Sequence, residues 1–391
     1  MKNGKIVISG MGVVSSYGKG INALKSGLLS GKQNIDYLKN KNVQSCKVAL
    51  VFSNPHVPNS SIYVLEESIQ EALKMAHISS INSDTSLIIG TGIGAIDILE
   101  SNILNNKELN LYDMYAGRGN LSTYFAKKHN ITSTVSCIST GCSSSNYAIS
   151  YAQSLIQLGR CKRVICCGVE IISDIVINCF NRMNGVDPDG IKPFDKDRLG
   201  STAGIGSATL IIETEQSALQ RGINPLAEIG GFGYSCDAYN VIAPQPNGEQ
   251  IKKAMRNAIN SSQISTKEIA AIFAHGTGTI LNDIVESNCL KEILTDEHID
   301  VPVIGMKGNI GHTGGASNIL AACAAVLAFQ ENIAFKTTGT KNIDPECQIN
   351  VTLKQQVINK NAIMINGFAF GGNNASIILK RYTNENKNLY C

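Results

Sequence analysis

Val135-Ser136-Cys137-Ile138-Ser139-Thr140-Gly141-Cys142-Ser143-Ser144-Ser145 carries a short apolar run into a bend of small residues, and from Ser144 to Leu158 apolar residues recur at helical spacing. The second half of the chain repeats this pattern in Val303 to His312, again an apolar run, glycines and a helix-like stretch. Working outward, other segments pair in the same way. Ile6-Val7-Ile8-Ser9-Gly10-Met11-Gly12 answers to Ala227-Glu228-Ile229-Gly230-Gly231-Phe232-Gly233, and Leu87 to Gly92 answers to Ile272 to Gly278. Val164 to Gly168 and Ala208 to Ile212 answer to Ile363 to Gly367 and Ala375 to Leu379. The order is the same in both halves, with longer insertions in the first. Glycine-bounded apolar runs read as buried strands, and they alternate with amphipathic stretches such as Ile62 to His77 and Ile251 to Ile259. The expectation is an α/β protein made of two duplicated halves, residues 1–222 and 223–391, sharing layers around one core.

Composition narrows the class. The 391 residues are 43% apolar and 17% charged, against roughly 25% charged in an average soluble protein. That predicts a large core and excludes disorder. A net charge of +3 is too balanced for a nucleic-acid binder. The longest apolar run, Ile319 to Phe329, is far short of the ~20 residues needed to span a bilayer, and Met1 to Lys5 leads straight into a strand-like run with no signal peptide. The twelve cysteines sit mostly in apolar runs, as Cys166, Cys167 and Cys323 do, which reads as reduced thiols in a cytoplasmic protein. No metal-ligand spacing such as paired Cys-x-x-Cys occurs.

Among those cysteines Cys142 stands apart, at a strand-to-helix turn among small residues. There the helix dipole and free backbone N–H groups are expected to lower the thiol pKa. Cys137, inside the strand, reads as structural. Two histidines share the context: His275 in Ala274-His275-Gly276-Thr277-Gly278-Thr279, and His312 in Lys307-Gly308-Asn309-Ile310-Gly311-His312. Each follows a buried run and is flanked by glycine, which permits close approach of a substrate. His129, His77, His56 and His298 lie in ordinary surface-like surroundings. By the repeat, His312 takes in the second half the place of Cys142 in the first, so a pseudo-dyad brings thiol and imidazoles into one pocket.

Gly141-Cys142-Ser143-Ser144-Ser145, His275-Gly276-Thr277-Gly278-Thr279 with Asp283 and Glu286, Lys307-x-Asn309-Ile310-Gly311-His312, and Gly367-Phe368-Ala369-Phe370-Gly371-Gly372-Asn373-Asn374 together resemble the β-ketoacyl-acyl-carrier-protein synthases of the elongating, Cys-His-His type. Met11 to Ser15 and Pro193 to Arg198 fit the same family, and the resemblance runs from about residue 5 to 381. It implies the thiolase fold, a five-layer α-β-α-β-α arrangement of the two halves, and a dimer, either with itself or with a ketosynthase-like paralogue. It implies that acyl carrier proteins deliver acyl and malonyl groups on phosphopantetheine, with no cofactor or metal resident on the enzyme. Cys142 would hold the acyl chain as a thioester. His275 and His312 would stabilise the enolate of decarboxylated malonyl, and the backbone N–H groups of Cys142 and Phe370 would form the oxyanion hole. Lys307 and Glu286 would orient the site, Thr277 and Thr279 would bind the pantetheine arm, and Phe368 and Phe370 would belong to a gating loop.

The chain also departs from the family. Ser201 stands where an aromatic gate residue is common, Ile205 where an acid is usual, and Asn240 where histidine is frequent; the segment Leu109 to Tyr124 is short. These departures fit a dedicated type II polyketide or aryl polyene pathway about as well as fatty-acid elongation. A non-catalytic chain-length-factor-like subunit is the alternative, disfavoured by Cys142 and both histidines. A thiolase would need a second cysteine near Asn366 to Asn374, and an initiating synthase would carry asparagine in place of His312. The Gly90-Thr91-Gly92-Ile93-Gly94 run lacks the third glycine of a dinucleotide fingerprint. Asp283 and Glu286, three apart, would otherwise be a solvated helix face, Lys307 a surface lysine and Gly371-Gly372 a simple turn.

Overall fold

The computed structural model describes residues 4–38, 45–52, 57, 59–107, 119–295 and 300–384. His56, His298 and most of the stretch from Leu109 to Tyr124 fall outside the described residues. Five strands build the first half: β1 (Ile6–Ser15), β2 (Thr85–Gly90), β3 (Val135–Ile138), β4 (Arg163–Glu170) and β5 (Gly206–Thr214). Five more build the second: β6 (Ala227–Cys236), β7 (Ile269–Phe273), β8 (Val303–Ile304), β9 (Ala362–Phe368) and β10 (Asn373–Lys380). Spatial order is β3-β2-β4-β5-β1 in one half and β8-β7-β9-β10-β6 in the other, the same topology twice. Directions repeat as well. β2 is parallel to β3 and β4, as β7 is to β8 and β9, and the remaining neighbours within each half are antiparallel. The halves join edge to edge through β1 and β6, where Val7 pairs with Glu228 and Ile8 with Ala227.

Strands buried on both faces explain the continuous apolar runs: every residue of β1, β2, β4 and β9 is buried. The layers follow from where the helices pack. Helices α1 (Ser60–Met75) and α2 (Gly119–Lys128) cover the outer face of the first half-sheet, while α4 (Glu249–Ser261), with α5 (Ile280–Thr295) against it, covers that of the second. Between the half-sheets lie α3 (Ser144–Gln157) and α6 (Ser317–Glu331), each packed on strands of both halves. Ser317 through Phe329 are all buried, so the longest apolar run of the sequence is the central helix of five α-β-α-β-α layers. Among the described residues no helix is long and apolar enough to cross a membrane.

The recurrent glycines have a packing cause. A Cβ at Gly12 of β1 would lie 2.0 Å from the Ser68 carbonyl oxygen of α1, and one at the repeat-related Gly233 of β6 would lie 2.1 Å from the Ala254 carbonyl oxygen of α4. Both outer helices thus seat directly on strand backbone. Gly12→Ala and Gly233→Ala are each expected to destabilise the protein by about 1–3 kcal/mol through overpacking, read as a several-degree fall in the thermal midpoint. An unchanged midpoint in either variant would show that the helix can shift at no cost.

Candidate active site

Cys142 lies on a 3-10 turn, Gly141–Ser143, that leads into α3, and Gly141 has a φ of 62° that only glycine adopts without strain. In the second half the same turn is Gly314–Ala316, leading into α6, with Gly314 at φ 44°. The repeat therefore sets Cys142 against Gly315 rather than His312, which corrects the expected correspondence by three residues. His312 nevertheless reaches the thiol from its own loop, with Nε2 3.1 Å from Cys142 Sγ. Its backbone is clamped by the insertion after β4: His312 N–H donates to the Thr202 carbonyl at 2.7 Å, and Gly204 N–H donates to the His312 carbonyl at 3.0 Å. The Ser317 hydroxyl stands 3.0 Å from His312 Nδ1 and 3.2 Å from Thr313 Oγ1.

His275 follows β7, and its ring stands perpendicular to that of His312 with centroids 5.8 Å apart. The Cys142, His275 and His312 donor atoms all fall within 4.8 Å of one another. Lys307 and Glu286 meet on His275 rather than on each other. Lys307 Nζ donates to the His275 carbonyl and stands 3.4 Å from Nδ1, while Glu286 accepts the N–H groups of His275 and Gly276, each at 2.8 Å. Asn366 adds a bond to Glu286 at 3.3 Å. Asp283 and Glu286 are fully buried, so neither is a solvated helix face, and Lys307 is no surface lysine. Asp283 accepts the Phe194 N–H at 2.7 Å, with Arg198 3.7 Å away.

Two spaces meet at the thiol. An apolar cavity of about 190 Å³ runs inward from Cys142 past Ile93, Ile171, Val176 and Val186. A larger cleft of about 290 Å³ leads outward past His275, Thr277, Thr279, Asn240 and Phe368. Cys142, His312, Ser201, Phe180 and Phe370 border both, and the Phe180 and Phe370 rings stack at 5.8 Å to form the partition. Phe368 is buried against His275, ring centroids 5.8 Å apart. The Thr277 and Thr279 hydroxyls are 2.8 Å apart in the cleft. Gly371 and Gly372, at φ 82° and 76°, form the turn behind Phe370, and the Gly371 N–H bonds the Val241 carbonyl at 2.7 Å. A larger surface groove of about 720 Å³ beside Lys291 and Cys347 contains none of these residues.

Electrostatics differ from expectation at the thiol. Burial pushes Cys142 up to about 11; the nearby Lys307 ammonium and the Cys142 backbone N–H pull it down, and Glu170 pushes it further up. Burial holds both imidazoles well below the ordinary histidine range, Lys307 reinforcing this, so both are neutral at pH 7. Lys307 is lowered to about 8 and Glu286 raised to about 7, in each case by burial first. Because an ammonium only donates, Lys307 assigns the N–H of His275 to Nε2, the nitrogen left to face a substrate.

Four contributors were not read from the sequence. Ser317 holds His312, the Asn318 amide donates to the Cys142 carbonyl at 3.0 Å, Phe180 completes the partition, and Glu170 borders the apolar cavity. A visible signal existed for Glu170, the one charge ending the apolar run Val164 to Val169. Its carboxylate accepts from Gly92, Ile93 and Gly315 N–H and from the Thr91 hydroxyl, at 2.8, 3.1, 2.6 and 3.3 Å. Burial raises it to about 7 against those four donors.

A duplicated five-layer core with a buried thiol and two imidazoles between an inward cavity and an outward cleft defines the thiolase-fold class of acyl-handling proteins. More narrowly, the chain belongs to the β-ketoacyl synthase family: residues 59–218 match its N-terminal domain and residues 226–341 its C-terminal domain. The chain is 28% identical to the 3-oxoacyl-[acyl-carrier-protein] synthase 2 of Synechocystis, across 97% of this chain and 98% of that protein. It is 33% identical to the tetracenomycin polyketide synthase ketoacyl synthase alpha subunit of Streptomyces glaucescens, across 63% and 60%. A chain of the solved complex of a ketosynthase (ApeO) with its chain length factor (ApeC) from Xenorhabdus doucetiae superposes with a TM-score of 0.84 at 26% identity, across 97% of this chain and 98% of that one.

Since the thiol is pushed up to about 11, its thiolate fraction grows about tenfold per pH unit below that value. Iodoacetamide labelling of Cys142, followed at the peptide level, is expected to accelerate from pH 7 through 9 without levelling off. A plateau near pH 7 would place the helix N-terminus and Lys307 above burial as the dominant influence.

Proposed function

We propose that the protein is a β-ketoacyl-[acyl-carrier-protein] synthase whose residues Cys142, His275 and His312 carry out decarboxylative condensation. The observation that supports it best is the Cys142 Sγ to His312 Nε2 approach of 3.1 Å, set at the junction of an acyl-sized apolar cavity and a cleft containing His275. In the first step the Cys142 sulfur attacks the acyl thioester. His312 Nε2 takes the thiol proton and returns it to the departing pantetheine sulfur. The Ser317 hydroxyl on Nδ1 donates or accepts, so either neutral tautomer of His312 is satisfied.

Malonyl carrier protein then places its thioester in the cleft, where Thr277 and Thr279 line the pantetheine path. The bond to the carboxylate breaks, carbon dioxide leaves, and the electron pair becomes an enolate whose oxygen meets the Nε2–H of His275 and that of His312, whose ring proton has first moved from Nδ1 to Nε2 as the Ser317 hydroxyl on Nδ1 turns from acceptor to donor. The enolate carbon attacks the acyl carbonyl on Cys142. The tetrahedral oxyanion is held by the backbone N–H groups of Cys142 and Phe370, and collapse expels the Cys142 thiolate, leaving the β-ketoacyl chain on the carrier. Lys307 and Glu286 fix the ring and backbone of His275 and touch no substrate. Ser201 and Phe370 shape the acyl passage, with Phe368 behind His275.

The same reading takes residues 1–222 and 223–391 as the two thiolase-like halves and a dimer as the working form, with a second copy or with a ketosynthase-like paralogue, in the cytoplasm. The pantetheine is supplied by acyl carrier protein. Type II polyketide or aryl polyene assembly is favoured over housekeeping fatty-acid elongation by the Lys307-x-Asn309-Ile310-Gly311-His312 spelling and by Ser201 at the usual gate position. The second reading, a chain-length-factor-like subunit, has one supporting observation: a similar solved chain belongs to a complex of a ketosynthase with such a factor.

Intact-mass analysis of wild type and Cys142→Ala, incubated with carrier proteins bearing saturated or polyenoyl chains, tests the proposal. Wild type alone is expected to gain the acyl mass, polyenoyl chains loading faster; no gain from the folded wild type favours the non-catalytic subunit. In His275→Ala, loading is expected to persist while condensation falls by about 10²–10³, the usual consequence of removing one donor to a developing oxyanion. Loss of loading in that variant would assign His275 to the wrong half-reaction.

A further inference from the structure

Glu170 is the last residue of β4, only 6% exposed, and it borders the cavity that opens at Cys142. All four of its partners donate to it: three backbone N–H groups and one hydroxyl. Such a set favours a carboxylate, since the three N–H groups can only donate and the Thr91 hydroxyl alone could accept a proton from it. Some buried carboxylates in the chain face a cation, as Glu213 faces Arg163 and Arg221 and Asp187 faces Lys192, while Asp97 and Glu100, like Glu170, are held by hydroxyl and N–H donors but border neither space at Cys142. Among the described residues Glu170 forms no ion pair, so its charge is not cancelled by contact. The surrounding backbone is shaped to hold it there, since a Cβ at Gly92 or Gly314 would strike the carboxylate at 2.6 or 2.3 Å.

The proposed reaction presents two carrier-bound thioesters to one thiol. A neutral acyl chain belongs on Cys142, whereas malonyl must stay in the cleft beside His275. Malonyl transferred to Cys142 would form a thioester with release of the pantetheine thiol, and its carboxylate would enter the inward cavity next to Glu170. Two like charges in a small, largely apolar space repel strongly because little solvent screens them, and Lys47, the one lysine lining that space, forms no ion pair with Glu170.

We propose that Glu170 is a specificity-determining residue that excludes anionic acyl groups, malonyl above all, from the Cys142 acyl cavity while leaving neutral chains free to load. This rests on the reading of Cys142 as the acyl acceptor.

The test compares wild type, Glu170→Gln and Glu170→Asp, each incubated separately with butyryl and malonyl carrier protein and read by intact mass, with Cys142→Ala as the background. The quantity of interest is the ratio of malonyl to butyryl adduct. At pH 8.5, where a carboxyl raised to about 7 is ionised, it is expected to rise roughly tenfold or more in Glu170→Gln, which loses the charge, and to stay near the wild-type value in Glu170→Asp, which keeps it. An unchanged ratio in Glu170→Gln, or an equal rise in both variants, overturns the proposal and makes Glu170 a purely structural brace. A wild type that loads neither group overturns the synthase reading itself, a separate failure. A further arm needs no variant to fold. In wild type, Cys142 is expected to discriminate against iodoacetate relative to iodoacetamide more strongly than the exposed Cys179 does, and equal discrimination at the two thiols counts against the charge.

Discussion

Two hydrogen bonds clasp the halves where α3 and α6 begin. The Asn318 amide, from α6, donates to the Cys142 carbonyl, and the Ser145 hydroxyl, from α3, donates to the Gly315 carbonyl. Glu170 adds a third tie by gathering the Gly315 N–H together with those of Gly92 and Ile93. The rest of the site depends on this clasp. Each half alone ends in a glycine-opened turn with unpaired N–H groups at a helix start, and only their apposition brings the loop carrying His312 over the turn carrying Cys142. The all-round apolar burial of α6 makes the apposition obligatory, because that helix has no stable position except between both half-sheets.

A duplicated framework would give a symmetric pocket, and chemistry needs an asymmetric one. The asymmetry enters where β4 and β9 end. After β9 the chain returns within residues 369–372, a tight glycine turn that offers Phe370 to the thiol. After β4 it runs through residues 171–205, building a short helix, Asp174–Arg182, that supplies Phe180, and then a stretch that grips His312 on both sides of its peptide. One equivalent position thus becomes a gate and the other becomes the acyl cavity wall. The unequal insertions visible in the sequence repeat are therefore the device that separates an inward cavity from an outward cleft.

The repeat, the layers and the three central side chains were legible in the sequence because they rest on periodicity and on glycine-flanked motifs. The reversal of strand direction between β4 and β5, and its echo between β9 and β10, was not, since apolar runs carry no sign of direction. The placing of His312 opposite Cys142 in the repeat failed for a related reason. The equivalent positions are Thr140-Gly141 and Thr313-Gly314, and a pair of small residues is too common a pattern to mark a register by itself. Asn318 and Glu170 were missed because their importance comes from partners more than a hundred residues away, Cys142 and Gly315, and local pattern holds no record of such contacts; Ser317 lies only five residues from His312, but its part shows only once His312 is set against Cys142.

The thiol is where sequence logic and structure weigh the same forces differently. A cysteine at a helix start is expected to ionise easily, yet enclosure behind Phe370 and the imidazoles removes the water that would solvate a thiolate. Burial acts in the opposite sense on the histidines, keeping them neutral imidazoles rather than fixed positive charges, so that His275 can donate and His312 can accept or donate by tautomer. A permanent cation pair beside Cys142 would stabilise thiolate and enolate alike and would also hold back the thiolate as a leaving group when the condensation product departs. Neutral donors act on charge as it develops and release it as it disperses, which is the differential stabilisation a two-step transfer requires. The positive charge closest to the imidazoles, on Lys307, is spent on the carbonyl and Nδ1 of His275. In the proposed mechanism it therefore orients a donor instead of neutralising an intermediate, which leaves the proposed selection of acyl groups to Glu170.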